Sequence, residues 1–140
     1  MTMVATRPAA IGVPGYSETM PCEPESARRA RLLVSAALNA WGVGELDEAG
    51  RLIVSELIAN SIAHTRSRAV RVVVRRPRDS VVWIGVADRS REVPERRRAS
   101  RDCEGGRGLV VVGNLSRRWG YDLRNWGKIV WAEIMVPTEC

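Results

Sequence analysis

From about Glu45 to His64 the chain is apolar at two overlapping helical stripes, one of Val54, Ile58 and Ile62 and the other of Leu46, Ala49, Ile53 and Leu57. A helix apolar on most of its sides belongs in the centre of a fold, with the other elements packed around it. On this helix Glu56, Asn60 and His64 recur at i, i+4 and i+8, so they share one face. Burying a carboxylate is costly unless something charged or hydrogen-bonding meets it, so Glu56 asks for a reason. The plain reading is a set of buried polar residues held by local hydrogen bonds. The functional one is a site built on that face.

The rest of the pattern says what surrounds the helix. A short strand is expected around Tyr16–Met20, after an N-terminal stretch broken by proline and glycine. Pro24 suits the start of a first helix carrying Ala30, Val34, Ala37, Leu38 and Trp41 at helical spacing, which Gly42 and Gly44 stop. Val70, Val72 and Val74 alternate with Arg71, Val73 and Arg75 in a strand with one covered face. Residues Arg76 to Ser80 read as the turn into a strand Val81–Ala87, which ends at Asp88. A polar loop, Arg89–Glu104, precedes Gly105-Gly106-Arg107-Gly108, which opens a helix from Leu109 to about Leu115. Strands Trp119–Leu123 and Lys128–Val136 close the chain, hinged at Asn125-Trp126-Gly127. The expected fold is α+β, a two-layer sandwich with helices on one face of a mixed, mostly antiparallel sheet. Residues 1–15 are expected as an arm and 16–140 as one domain, a size consistent with a single core.

Composition narrows the classes of function. At 45% hydrophobic and 27% charged, the chain reads as an ordinary globular protein. It has no apolar run long enough for a membrane span, and its start lacks the apolar core of a secretory leader. Three scattered cysteines, Cys22, Cys103 and Cys140, read as free thiols in a reducing cytoplasm. With one histidine and no paired cysteines, a structural zinc site lacks ligands. The net charge of +6 could suit nucleic acid, but all 22 basic residues except Lys128 are arginine and phenylalanine is absent, a bias that a GC-rich genome explains.

Two further features stand near the helix face in the expected fold. Asp88 at a strand end could accept a hydrogen bond from an amine on a flat ligand, though a lone aspartate there is commonly a turn residue. Glycines at a helix start let backbone N–H groups approach a phosphate. The run Gly105–Leu109 lacks the Lys-Ser/Thr of a P-loop and the preceding strand of a dinucleotide fingerprint.

Taken in order, Glu56-Leu57-Ile58-Ala59-Asn60 through His64-Thr65, then Asp88-Arg89-Ser90, then Gly105-Gly106-Arg107-Gly108-Leu109, resemble the Bergerat-fold (GHKL) nucleotide-binding domain. The likeness runs from about Cys22 to Val136 and is strongest to the anti-sigma factor serine kinases, which the closing Arg118-Trp119-Gly120 and Gly127–Ile134 also match.

The resemblance implies ATP and Mg²⁺ as cofactors. Asn60 stands where that family's asparagine contributes an oxygen to the metal, which takes hard oxygen ligands and keeps several waters. Glu56 stands at the catalytic carboxylate that activates an attacking hydroxyl. Asp88 matches the aspartate that reads the adenine amine, with Ser90 following it. Gly105, Gly106, Arg107, Gly108 and Leu109 match the second glycine box, with Arg89–Glu104 as a lid over the phosphates. His64 reads as packing at the helix end. Two positions depart from the pattern: Asp88-Arg89-Ser90 stands where the family has a glycine-richer run, and Ile129 stands where a threonine near the adenine is expected. Arginines 96, 97, 98 and 101 could help hold phosphates or could form a solvated loop face.

The function implied is an ATP-binding regulator, an anti-sigma factor with serine/threonine kinase activity towards an antagonist protein. The partners would be a sigma factor and that antagonist, with a homodimer possible and neither nucleic acid nor membrane bound directly. A module in which nucleotide controls partner binding without phosphotransfer is the alternative. A nucleic-acid binder ranks well below both, because no basic stretch is interleaved with aromatics.

Overall fold

A computed structural model describes residues 14–92 and 104–137, with the side chains of 104–109 excluded. Most of the expected arm, the lid arginines 96, 97, 98 and 101, and Cys103 and Cys140 lie outside the described residues.

The chain runs β1 (Gly15–Pro21), α1 (Ser26–Ala40), a single 3₁₀ turn (Gly44–Leu46), α2 (Asp47–His64), β2 (Ala69–Arg78), β3 (Val81–Asp88), α3 (Glu104–Leu115), β4 (Arg118–Arg124) and β5 (Gly127–Met135). The strands form one five-stranded sheet in the order β1-β2-β3-β5-β4. Each neighbouring pair in it is antiparallel, so the sheet is α+β as expected without the parallel pairing that a mixed sheet would include.

Strand alternation assigns the two faces. Met20, Val70, Val72, Val74, Val82, Ile84, Val86, Val130, Ala132 and Ile134 face the helices and share a single core with them. From α2 that core takes Ile53, Val54, Leu57 and Ile58, all essentially without solvent contact, as the two apolar stripes require. The opposite face is covered by its own side chains. Trp83 and Trp131 stack there with centroids 6.2 Å apart. The guanidinium of Arg75 lies 4.8 Å from the Trp83 ring and that of Arg118 lies 5.6 Å from the Trp131 ring, each a cation–π contact.

Three boundaries differ from the sequence expectation. Helix α1 starts at Ser26, with Pro24 in the preceding turn, where its carbonyl accepts from the Ala27 N–H. Strand β2 continues through Pro77 to Arg78, so the turn is confined to Asp79 and Ser80. Proline has no N–H for the ladder, and the register shifts between Arg75 and Arg78 to accommodate it. Helix α3 begins at Glu104, so the glycine run lies inside its first turns rather than before it. At the end of α1 the expected stop is confirmed. Gly42 adopts φ +73, Val43 N–H reaches the Leu38 carbonyl and Gly42 N–H the Asn39 carbonyl, a Schellman closure. Among the described residues no helix is long and apolar enough to cross a membrane.

Candidate functional site

The polar centre of the molecule is Asp88, at the last position of β3 and 2% exposed. Its Oδ1 accepts from the Lys128 ammonium at 3.0 Å and from the Ser90 backbone N–H at 2.9 Å. Its Oδ2 accepts from the Ser61 hydroxyl at 2.8 Å and from Lys128 again at 3.3 Å. A carboxylate has roughly four lone-pair positions, and here each is occupied. The third proton of Lys128 is directed to the Ser90 carbonyl at 3.3 Å. Both charges are out of water, a geometry that stands only because each is paired and hydrogen-bonded.

The backbone explains how Lys128 reaches Asp88. The two residues are register partners in the β3–β5 ladder and face the same way. The preceding Gly127, at φ +156, brings β5 so close that a Cβ there would sit 2.0 Å from the Asp88 carbonyl oxygen. Only glycine admits that approach.

A cleft of about 960 Å³ opens beside this cluster, between the C-terminal end of α2, the loop to β2 and the chain leaving β3. His64, Ser67, Ser90 and Glu92 line it, with Arg66, Arg68 and Arg89 giving it a positive rim. Ser90 belongs to both, its N–H donating to Asp88, while the Asp88 and Lys128 side chains themselves do not line the cleft. His64 is half-buried against the cleft, which gives it a place at the site in addition to packing at the helix end. Cys22 is a free thiol nearby. Burial first, and then the charges of Asp88 and Glu23, push its pKa up.

Asn60 and Glu56 precede Ser61 on α2. Asn60 is 8% exposed, and its Nδ2 has no hydrogen-bond partner among the described residues. Its neighbour Ser61 touches Asp88, so Asn60 stands beside the same cluster. Glu56 is half-buried one turn earlier, so its charge keeps access to water and needs no buried partner. Residues Gly105, Gly106, Arg107, Gly108 and Leu109 form the start of α3, which packs against α2, and their side-chain surroundings lie outside the described residues.

One expectation is corrected. Ile129 does not face the base end of the site. Strand alternation turns it to the tryptophan face, where its Cγ2 lies 3.2 Å from the position a Cβ on Gly85 would take. Lys128, not Ile129, is the β5 residue that faces Asp88. Lys128 and Ser61 are the site residues that reading the sequence missed. For Lys128 a signal existed, since it is the one lysine among 22 basic residues and sits beside the strand's first apolar residue. Ser61 had none beyond its place next to Asn60.

No buried metal cage is formed by the described side chains, since no group of three or more His, Cys, Asp or Glu residues converges. Asn60 nevertheless suits Mg²⁺: a buried side-chain amide with an unpartnered Nδ2 can rotate to offer its oxygen instead, and Mg²⁺ asks for few protein ligands. A comparison with curated proteins finds no match for the chain. Residues 20–134 do match the sequence model of the histidine kinase-like ATPase domain, and with that stretch covering most of its length the chain belongs to this ATP-binding family.

Proposed function

We propose that the chain is an ATP-binding regulator that acts as an anti-sigma factor and transfers phosphate from ATP to a serine or threonine of an antagonist protein. The observation that supports this best is Asn60, a buried amide beside the Asp88 cluster whose Nδ2 has no partner among the described residues. An unsatisfied buried donor costs free energy, about 1–3 kcal/mol, and such a cost persists where the group has work to do. Asn60 would contribute one ligand to Mg²⁺, and the metal, when bound, would neutralise phosphate charge. Asp88 would read the base, with Ser61 and the Ser90 N–H orienting its carboxylate. The N–H groups of the first turn of α3, which lack intrahelical acceptors, suit phosphate oxygens. Glu56, half-buried one turn from Asn60, would take the proton of an incoming hydroxyl. The hydroxyl belongs to the partner, so the chain needs no nucleophile of its own.

Calorimetric titration with Mg²⁺ and ATP tests the binding half. Wild type should bind, and Asn60→Ala should lose most of the affinity while folding at least as stably, since the substitution removes an unpaired donor. Failure of wild type to bind at millimolar nucleotide would overturn the reading.

A further inference from the structure

We propose that the outer face of the sheet, the side away from the helices, is a docking surface for an acidic segment of a partner protein. The helices share their core with the other face, and none of the described elements lies on this one. Strand alternation turns Arg71 and Arg75 of β2, Trp83 of β3, Trp131 and Glu133 of β5, and Arg118 and Arg124 of β4 outward. The Asp88 cluster is on the core side, bonded to α2 through Ser61, so the outer surface stands apart from the nucleotide site.

Charge sets the occupant. Arg71, Arg75, Arg78, Arg117, Arg118 and Arg124 stand on or at the rim of this face against two carboxylates, Asp122 and Glu133, and all of these arginines but Arg75 are exposed. Burial, and then the charges of Arg71 and Arg124, pull the Arg75 pKa below its ordinary value. The Arg118 hydrogen bonds hold Glu133 low against burial, with the charges of Arg117 and Arg78 adding to them. Asp122 meets Arg124 only at 3.9 Å. The surplus of guanidinium charge favours an acidic counterpart and penalises a basic one. A second copy of the chain would set this positive face against itself. Residues 1–13 carry Arg7 and no carboxylate, and residues 93–103 carry four arginines against Glu95 and Asp102, so neither segment complements it. Residues 138–140 are too few to cover it.

The side chains suit protein better than nucleic acid. Trp, Arg and Met are enriched where proteins meet, and here Trp83, Trp131 and an exposed Met135 lie among the arginines. The Trp83 ring lies over Gly85, where a Cβ would meet its Cη2 at 2.6 Å, and the Trp131 ring lies over Gly120, with Cζ2 at 3.0 Å from such a Cβ. The two rings also stack on each other, and each carries a guanidinium, from Arg75 and Arg118. A platform for single-stranded nucleic acid keeps its ring faces open to bases. These rings are engaged by the sheet, by each other and by arginine. What they present outward is guanidinium on an apolar bed, which pairs with carboxylates through paired N–H donors.

Fluorescence anisotropy with a labelled Glu-Val repeat peptide tests this on wild type and on Arg71→Glu with Arg78→Glu. A control, Arg28→Glu with Arg51→Glu, makes the same change of charge at exposed positions on the helices. Wild type should bind, the sheet-face variant should lose at least about tenfold in affinity, and the control should stay within about threefold. Equal losses in the two variants would reduce the interaction to net charge and overturn the proposal, as would wild type that fails to bind at millimolar peptide. A labelled oligothymidine that binds wild type more tightly than the peptide, and is lost in the sheet-face variant, would make the occupant nucleic acid. A wild-type dimer in sedimentation that the sheet-face variant dissociates would make it a second copy. Either result overturns the assignment to an acidic protein segment. Because reversing two charges can unsettle the fold, a second measurement uses wild type alone. The peptide should shift the indole N–H resonances of Trp83 and Trp131 and leave in place that of Trp41, which packs against the core with Tyr16. Indole signals of Trp83 and Trp131 unmoved at the highest peptide concentration overturn the proposal.

Discussion

Ser61 on α2 donates to Asp88 on β3 across 2.8 Å, a buried bond that joins the helix layer to the sheet at the polar centre of the molecule. It also orients the carboxylate whose remaining positions Lys128 and the Ser90 N–H fill. Ser61→Ala removes a hydrogen bond to a charged acceptor at a position shielded from solvent. The expected cost is about 1.5–3 kcal/mol of unfolding free energy, measured by urea titration. A change below about 0.5 kcal/mol would mean that Lys128 alone satisfies the carboxylate.

Gly127 places β5 against the end of β3. A Cβ at this position would meet the Asp88 carbonyl oxygen at 2.0 Å and the Arg89 Cα at 2.7 Å, all backbone, so no side-chain rotation relieves the clash. Gly127→Ala should therefore cost about 3 kcal/mol or more and should pull Lys128 away from Asp88. A denaturation midpoint equal to that of wild type would show that the two strands can separate here without loss.

These two residues show what was legible in the sequence and what was not. The two apolar stripes of α2 announced a central helix because helical period is local, and the helix lies at the centre of the core. The valine alternation of β2 and the glycine stop of α1 are local signals too. Pro77 marks a break in most contexts, which lengthens the turn expected after β2, yet a register shift between Arg75 and Arg78 accommodates it in the strand. Glycines lower helix propensity, by about 1 kcal/mol each, so the local pattern points to a later start for α3 than Glu104, where packing on α2 overrides that preference. Asn60 and Asp88 stood out as polar residues in apolar elements. The pairing of Lys128 with Asp88 depends on the β3–β5 register across 40 positions of sequence, which local pattern does not encode. A shift of one residue in that register would have put Ile129 there, as expected from the sequence.

On the outer face Arg118 grips Glu133 with two bonds, Nε to Oε1 at 2.8 Å and Nη2 to Oε2 at 3.2 Å. The Arg118 hydrogen bonds hold the Glu133 carboxyl below its ordinary value of 4.5, against the opposing effect of burial. A carboxyl with a depressed folded pKa adds stability that is complete above the unfolded value and is lost as pH falls through the folded one. Stability of wild type should thus fall below about pH 4.5, and Glu133→Gln should flatten that limb, being less stable than wild type at neutral pH and converging with it in acid. Added salt should shrink the difference, because Arg118 is exposed. Identical acid profiles for the two proteins would remove the pair from the pH response.

Glu56 separates a kinase from a binding module. It lies one helical turn before Asn60 and is half-buried, so its carboxylate has access to solvent and can face an incoming hydroxyl. Nucleotide contacts in the proposed site come from Asn60, Asp88 and the start of α3, none of which depends on the Glu56 carboxylate. Glu56→Gln preserves the shape of the side chain and removes its ability to take a proton. The expected outcome is nucleotide affinity within about threefold of wild type, with transfer of label from γ-labelled ATP to the cognate antagonist reduced by about 10²–10⁴-fold. Equal losses in binding and transfer would instead place Glu56 among the binding groups. Wild type that binds ATP with Mg²⁺ yet labels no antagonist would exclude the kinase and leave the chain as a binding module, a role in which Glu56→Gln should have no effect at all.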